Sequence, residues 1–162
     1  MTVQLEPWTE DDLPLVQALL GDPAMTEYLG GPEDPEKIVE RHGRYVATPT
    51  AFKIVVDGVP AGWVGYWEHE WQGEQVYEIG WSVLPGFQGR GVATEGTRLA
   101  LESARASDGP RVVHAFPVPE NGPSNAICRK CGFTFLGEVD FEFPKGVWAP
   151  SNDWMLRLDS AS

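Results

Sequence analysis

The stretch Pro85–Gly96, PGFQGRGVATEG, constrains the fold of this chain more than any other. It follows a run that reads as a strand and precedes one that reads as a helix. Gly86, Gly89, Gly91 and Gly96 fall within it, together with Arg90. Glycine at this density between two elements implies left-handed backbone or close approach of another group. A helix N-terminus offers unpaired N–H groups and a partial positive charge, so a strand, glycine turn and helix together make a plausible phosphate cradle. A Walker A loop needs a lysine that is absent here. A dinucleotide fingerprint would place glycine or alanine where Thr94 stands, near the first strand, with an acid about 20 residues on. Three strands already precede this turn, and no acid follows the next strand until Glu120. A third pattern, [QR]-x-x-G-x-[GA], is filled by Gln88, Gly91 and Ala93. A purely structural glycine turn is the remaining alternative.

The surrounding pattern sets this unit in a mixed α/β (α+β) domain. Val3–Trp8 alternates as a strand. Thr9 offers an N-cap before Glu10, Asp11 and Asp12, and Leu13, Val16 and Leu20 carry a first helix. The Gly/Pro-rich stretch 21–35 is loop, and a second helix is expected over Glu36–Ala47. The period then changes. Ala51–Val56, Ala61–Trp71 and Glu74–Leu84 form a three-strand meander, with turns at Asp57-Gly58 and Gln72-Gly73. A helix from about Gly91 to Arg105, a strand over 111–116 and a short helix closed by Gly132 follow. Strands over 133–143 and 152–158 flank the loop PKGVWAPS. The expectation is a single domain, 1–162, with a central twisted, mostly antiparallel sheet of about seven strands and flanking helices.

Composition excludes several classes. The chain has 12 basic and 24 acidic residues, a net charge of −12, which argues against a nucleic-acid surface or an anionic membrane surface. It is compatible with a cationic amine partner. No apolar run approaches the ~20 residues of a membrane span, and the N-terminus lacks the pattern of a signal peptide, so a cytoplasmic location is expected. The two cysteines, Cys128 and Cys131, with three unpaired histidines, do not make up a zinc site, and no metal is expected.

The segments EIGWSVLPGFQGRGVATEG and VPENGPSNAICRKCGF resemble the GNAT superfamily of acyl-CoA-dependent N-acyltransferases, in the branch that holds the ribosomal-protein N-terminal acetyltransferases. The resemblance is strong over about residues 76–133 and looser outside. It implies acetyl-CoA or another acyl-CoA as co-substrate and, as acceptor, a small-molecule amine or a peptide or protein N-terminal amine. Neither nucleic acid nor membrane is an expected partner. The aromatic content and the family role of the last strand suggest a homodimer.

By the same resemblance, Gln88, Gly89, Arg90, Gly91, Val92, Ala93 and Thr94 hold the pyrophosphate. Backbone N–H groups over Trp81, Ser82, Val83 and Leu84 hold the pantetheine arm and polarise the acyl carbonyl. Asn121, Ser124 and Cys128 match positions near the cofactor or its leaving thiol. Glu78, on the strand before the turn, is the expected base, because attack requires a neutral amine. Asn121 and Ser124 complete the catalytic set; capping of their helix is the plainer role for both. His69 and Glu70 are weaker candidates for the base. Trp67 and Trp71 are candidates to line an acceptor cleft. One departure stands out: the family's tyrosine acid for the thiolate is replaced by Cys128, so that role does not carry over. This leaves open a degenerate, non-catalytic acyl-CoA sensor or scaffold, and an unrelated α/β binding domain.

Overall fold

The computed structural model describes residues 1–159. Its elements are β1 (Val3–Pro7), α1 (Leu13–Leu20), α2 (Pro35–Ala47), β2 (Ala51–Val56), β3 (Val59–Trp71), β4 (Glu74–Val83), α3 (Val92–Arg105), β5 (Val112–Ala115), α4 (Gly122–Lys130), β6 (Thr134–Glu142) and β7 (Trp148–Arg157). The seven strands form one sheet in the order β1-β2-β3-β4-β5-β7-β6. The pairings β1–β2, β2–β3, β5–β7 and β6–β7 are antiparallel, and β4–β5 is parallel. The mixed α/β expectation holds. The chain packs as two compact units, residues 1–65 with 81–99, and residues 66–80 with the chain from 100 on.

In the first unit, α1 and α2 bury Leu15, Val16, Leu19 and Ile38 with Trp8 and Ala51. Tyr45 lies between Trp8 and Trp63, with ring centroids 5.1 and 5.4 Å away. The acids after Thr9 do local work. The Thr9 amide and hydroxyl both donate to Asp12, and the Lys53 ammonium reaches the same carboxylate at 3.0 Å. Burial alone would raise the Asp12 pKa; these bonds pull it below its ordinary value. Two glycines let backbones meet. A Cβ at Gly62 would lie 2.3 Å from the Ser82 carbonyl oxygen, and one at Gly96 would lie 2.8 Å from Ile54 Cδ1.

In the second unit, the two faces of β3 and β4 differ. The Tyr66 hydroxyl bonds Ser103 in α3 and the Tyr77 hydroxyl bonds Ser107 just past the helix end, at 2.7 and 2.9 Å. His69 and Glu78 lie on the opposite face, by strand alternation. The β4–β5 register pairs Tyr77 with Val113 and Glu78 with His114.

One boundary differs from expectation. The segment PKGVWAPS reads as loop, yet Trp148–Ser151 pairs with Glu142–Val139. Pro150 argues against a strand in sequence. Here β5 registers with Trp154–Arg157, so its ladder lies beyond Pro150 and the missing N–H breaks nothing on that side.

Candidate active site

The glycine turn belongs to the first unit. Gly89 and Gly91 have φ of +73° and +77°, the left-handed region open to glycine at little cost. A Cβ at either position would meet nothing within 4 Å, so both glycines face open space. The Gln88 side chain faces inward instead: its amide donates to the Val83 carbonyl at 2.9 Å and braces the loop. Val92 and Thr94 are buried, at 1% and 8% exposure, so what they offer outward is backbone. The first helical bond of α3 runs from the Glu95 amide to Gly91 at 3.0 Å, which leaves the preceding amides without an acceptor inside the helix. Arg90 is exposed, with its guanidinium carbon 5.5 Å from the Phe87 ring centroid. The residues of the turn fit an anionic pyrophosphate.

The edge of β4 sharpens the expectation for residues 81–84. The Leu84 amide donates to the Ala61 carbonyl at 2.8 Å, and the Ser82 carbonyl packs on Gly62. Ser82 and Leu84 therefore turn their backbone toward β3, and alternation turns that of Trp81 and Val83 the other way. The Leu84 amide, expected to meet the cofactor, is thus already bonded within the sheet.

Glu78 lies in the second unit. Its side chain is 17% exposed and takes a hydrogen bond from Trp67, yet burial dominates and raises its pKa from 4.5 to about 7. His69 Nδ1 lies 3.8 Å from Glu78 Oε1. The His69 ring packs among Trp71, Phe116 and Phe141, with centroids at 6.1, 6.2 and 6.0 Å. Behind them, His114 Nδ1 and Asp153 Oδ1 are 2.5 Å apart, and the Trp71 indole donates to the other Asp153 oxygen at 3.2 Å. The structure thus brings Glu78, Trp67, His69 and Trp71 together on one sheet face. A carboxylate whose pKa sits near neutral pH can both take and release a proton.

The α4 residues divide. Asn121 caps the helix, its side-chain oxygen accepting from the Ser124 amide at 3.1 Å. Ser124, half-buried, stands in the first turn. Cys128 does not fit the cofactor set: it is 0% exposed, and burial pushes its thiol up to about 12. It offers neither contact surface nor an available proton. Cys131 is half-buried and not part of a disulfide. Among the described residues, no cluster of His, Cys, Asp and Glu is suited to hold a metal ion.

A family model described as an acetyltransferase (GNAT) domain matches residues 2–134. This chain belongs to the GNAT acetyltransferase family. An uncharacterized N-acetyltransferase of Bacillus subtilis (strain 168), YnaD, is 33% identical over 86 residues, which are 53% of this chain and 48% of that protein. The match thus spans about half the length of that curated relative. Among solved structures, the GNAT acetyltransferase of Bacillus anthracis has a TM-score of 0.84 at 21% identity, covering 99% of this chain and 97% of that one. The ribosomal L7/L12 alpha-N-protein acetyltransferase RimL, in complex with coenzyme A, has a TM-score of 0.79 at 19% identity, with 98% and 96% covered. At these identities the two likenesses are of fold. The GNAT resemblance read from the segments 78–96 and 118–133 is thereby borne out, and RimL is among the structural neighbours.

The pair His114–Asp153 escaped the sequence reading. The two residues are 39 positions apart and meet because β5 and β7 pair. A histidine in an apolar strand and an acid before Trp154 were the available signals, and neither names the other. The bond from Trp67 to Glu78 was likewise hidden, since spacing places Trp67 on a face without naming its partner.

Proposed function

We propose that this protein transfers an acyl group, acetyl in the simplest case, from acyl-coenzyme A to a primary amine by direct attack in a ternary complex. The observation that carries the reading is Glu78: a half-buried carboxylate with a near-neutral pKa, on the strand that leads into the glycine turn. The coenzyme supplies the activated thioester. The open backbone at Gly89 and Gly91 with the first turn of α3 receives the pyrophosphate, and the Trp81 and Val83 amides bind the pantetheine arm and polarise the carbonyl. Glu78, directly or through a water, accepts the proton that the attacking ammonium must lose. Ser124, in the capped first turn of α4, is the proposed helper of the departing thiolate. The acceptor is a small-molecule amine or a protein N-terminal amine. The rings of Trp71, Phe116 and Phe141 around His69, whose Nδ1 lies 3.8 Å from Glu78, favour one with an apolar group beside its nitrogen.

The test is thiol release from acetyl-CoA and succinyl-CoA with a panel of alkyl, aryl and peptide amines. Turnover with at least one amine is expected. In Glu78→Gln, kcat is expected to fall by about two orders of magnitude or more while acyl-CoA affinity changes little. Wild-type turnover in that variant removes Glu78 from the reaction. One observation favours a second reading: with the Cys128 thiol held at about 12, that α4 position offers no proton for the leaving group. Acyl-CoA binding by calorimetry without turnover on any amine would establish a sensor or scaffold instead.

A further inference from the structure

His69 differs from every other histidine in the chain in how its ring nitrogens are used. His42 bonds the Thr9 carbonyl at 2.8 Å, and His114 is paired with Asp153. His69 Nε2 is buried and has no hydrogen-bond partner. Its surroundings there are aromatic rings, which accept an N–H weakly and donate nothing to a bare lone pair. The tautomer that costs less therefore carries its proton at Nε2. That leaves Nδ1 as an acceptor, and Nδ1 is the atom that stands 3.8 Å from Glu78 Oε1. The gap is about 1 Å more than a hydrogen bond spans, within the swing of a carboxyl group. The ring is 30% exposed on its side-chain surface, so it also touches solvent.

We propose that His69 is the proton outlet of Glu78. The acceptor ammonium gives one proton to the Glu78 carboxylate. The O–H bond then breaks as an N–H bond forms at His69 Nδ1, and the imidazolium passes that proton to water. Glu78 is again a carboxylate and His69 again neutral, so the cycle closes without another reactant. His69 acts through Glu78 and is a positioning residue. The inference rests on the reading of Glu78 as the base.

The charged surroundings suit this role. Burial lowers the His69 pKa and nearby His114 lowers it further, while Glu70 on the same strand raises it. Asp153 on β7 is engaged by His114 and Trp71, so its charge is not spent on His69. From β6 the contact is Phe141; Asp140 and Glu142 alternate to the other side and are exposed. The lowered pKa leaves His69 neutral near pH 7 and makes it give up its proton readily once charged; the transfer from Glu78 runs slightly uphill and is drawn on by release to water.

The test is steady-state kinetics of His69→Gln and His69→Ala beside Glu78→Gln, with circular dichroism melts. In His69→Gln, kcat is expected to fall about tenfold, with both KM values within about twofold. Its rate is expected to rise with the concentration of a buffer of pKa near 7, whereas the wild-type rate does not. Imidazole is expected to restore much of the rate to His69→Ala. If His69→Ala does not fold, the buffer series on His69→Gln decides alone. Wild-type kcat in His69→Gln, or a lowered kcat that neither buffer nor imidazole moves, overturns the outlet while leaving Glu78 in place. Wild-type turnover in Glu78→Gln overturns the base itself.

Discussion

At the scale of the residue, Glu78 carries two opposed properties. Its burial keeps the acid form stable to a higher pH than in the unfolded chain, from 4.5 to about 7. A carboxyl group whose folded pKa is raised binds its proton more tightly when folded. The folded state therefore loses stability as pH rises through that window, and the penalty is complete above about 7. Glu78→Gln removes an ionised group from a site that disfavours ionisation. We expect this variant to be more stable than wild type at pH 8 by about 2 kcal/mol, and nearly equal to it at pH 4.5. Denaturant unfolding at the two pH values checks this. A variant that is inactive yet more stable at pH 8 has lost chemistry and not fold, and equal stability at both values would mean that Glu78 is solvated.

At the scale of the element, the glycine turn shows what a sequence makes legible. The order strand, glycine turn, helix is visible because glycine spacing and the switch of period are both local. The division of labour inside it is not. That Leu84 spends its amide on Ala61 and that Cys128 is sealed inside depend on neighbours brought in from other strands and helices, and that Gln88 reaches back to Val83 depends on how the turn itself folds. The same limit explains β7, where Pro150 reads as a breaker until the end of β5 is known. The local geometry supports a direct prediction. Alanine at Gly91 must adopt a φ of +77° and places a methyl in the open space beside the turn. Left-handed backbone costs a non-glycine residue about 1–2 kcal/mol, and the methyl obstructs an approaching phosphate. We expect Gly91→Ala to raise the KM for acyl-CoA about tenfold and leave the amine KM within about twofold. Gly43→Ala is the control: it lies in α2 with nothing within 4 Å of a Cβ and no left-handed φ, so helix propensity alone predicts a neutral or slightly stabilising change. Equal KM values for acyl-CoA in Gly91→Ala and wild type would disconnect the turn from the coenzyme.

At the scale of the molecule, the net charge of −12 acts on the two proposed substrates with opposite sign. Exposed acids recur along the strands: Glu68 and Glu70 on β3, Glu74 on β4, and Glu138, Asp140 and Glu142 on β6. A protonated amine is drawn toward such a surface, whereas acyl-coenzyme A, itself an anion, must enter against the overall field and rely on the local positive end of α3. Salt separates the two effects by range. The screening length falls from about 30 Å at 0.01 M to about 8 Å at 0.15 M, which removes the long-range attraction and repulsion first and spares contacts in the turn. The ratio of the amine KM to the acyl-CoA KM is therefore expected to rise severalfold across that range, with the largest change for amines of highest charge. Initial-rate kinetics at constant pH with a monoamine and a diamine measure it. A ratio that stays constant or falls for both amines would show that the acidic surface takes no part in gathering the acceptor, and would leave recognition to the ring-lined neighbourhood of Glu78 alone.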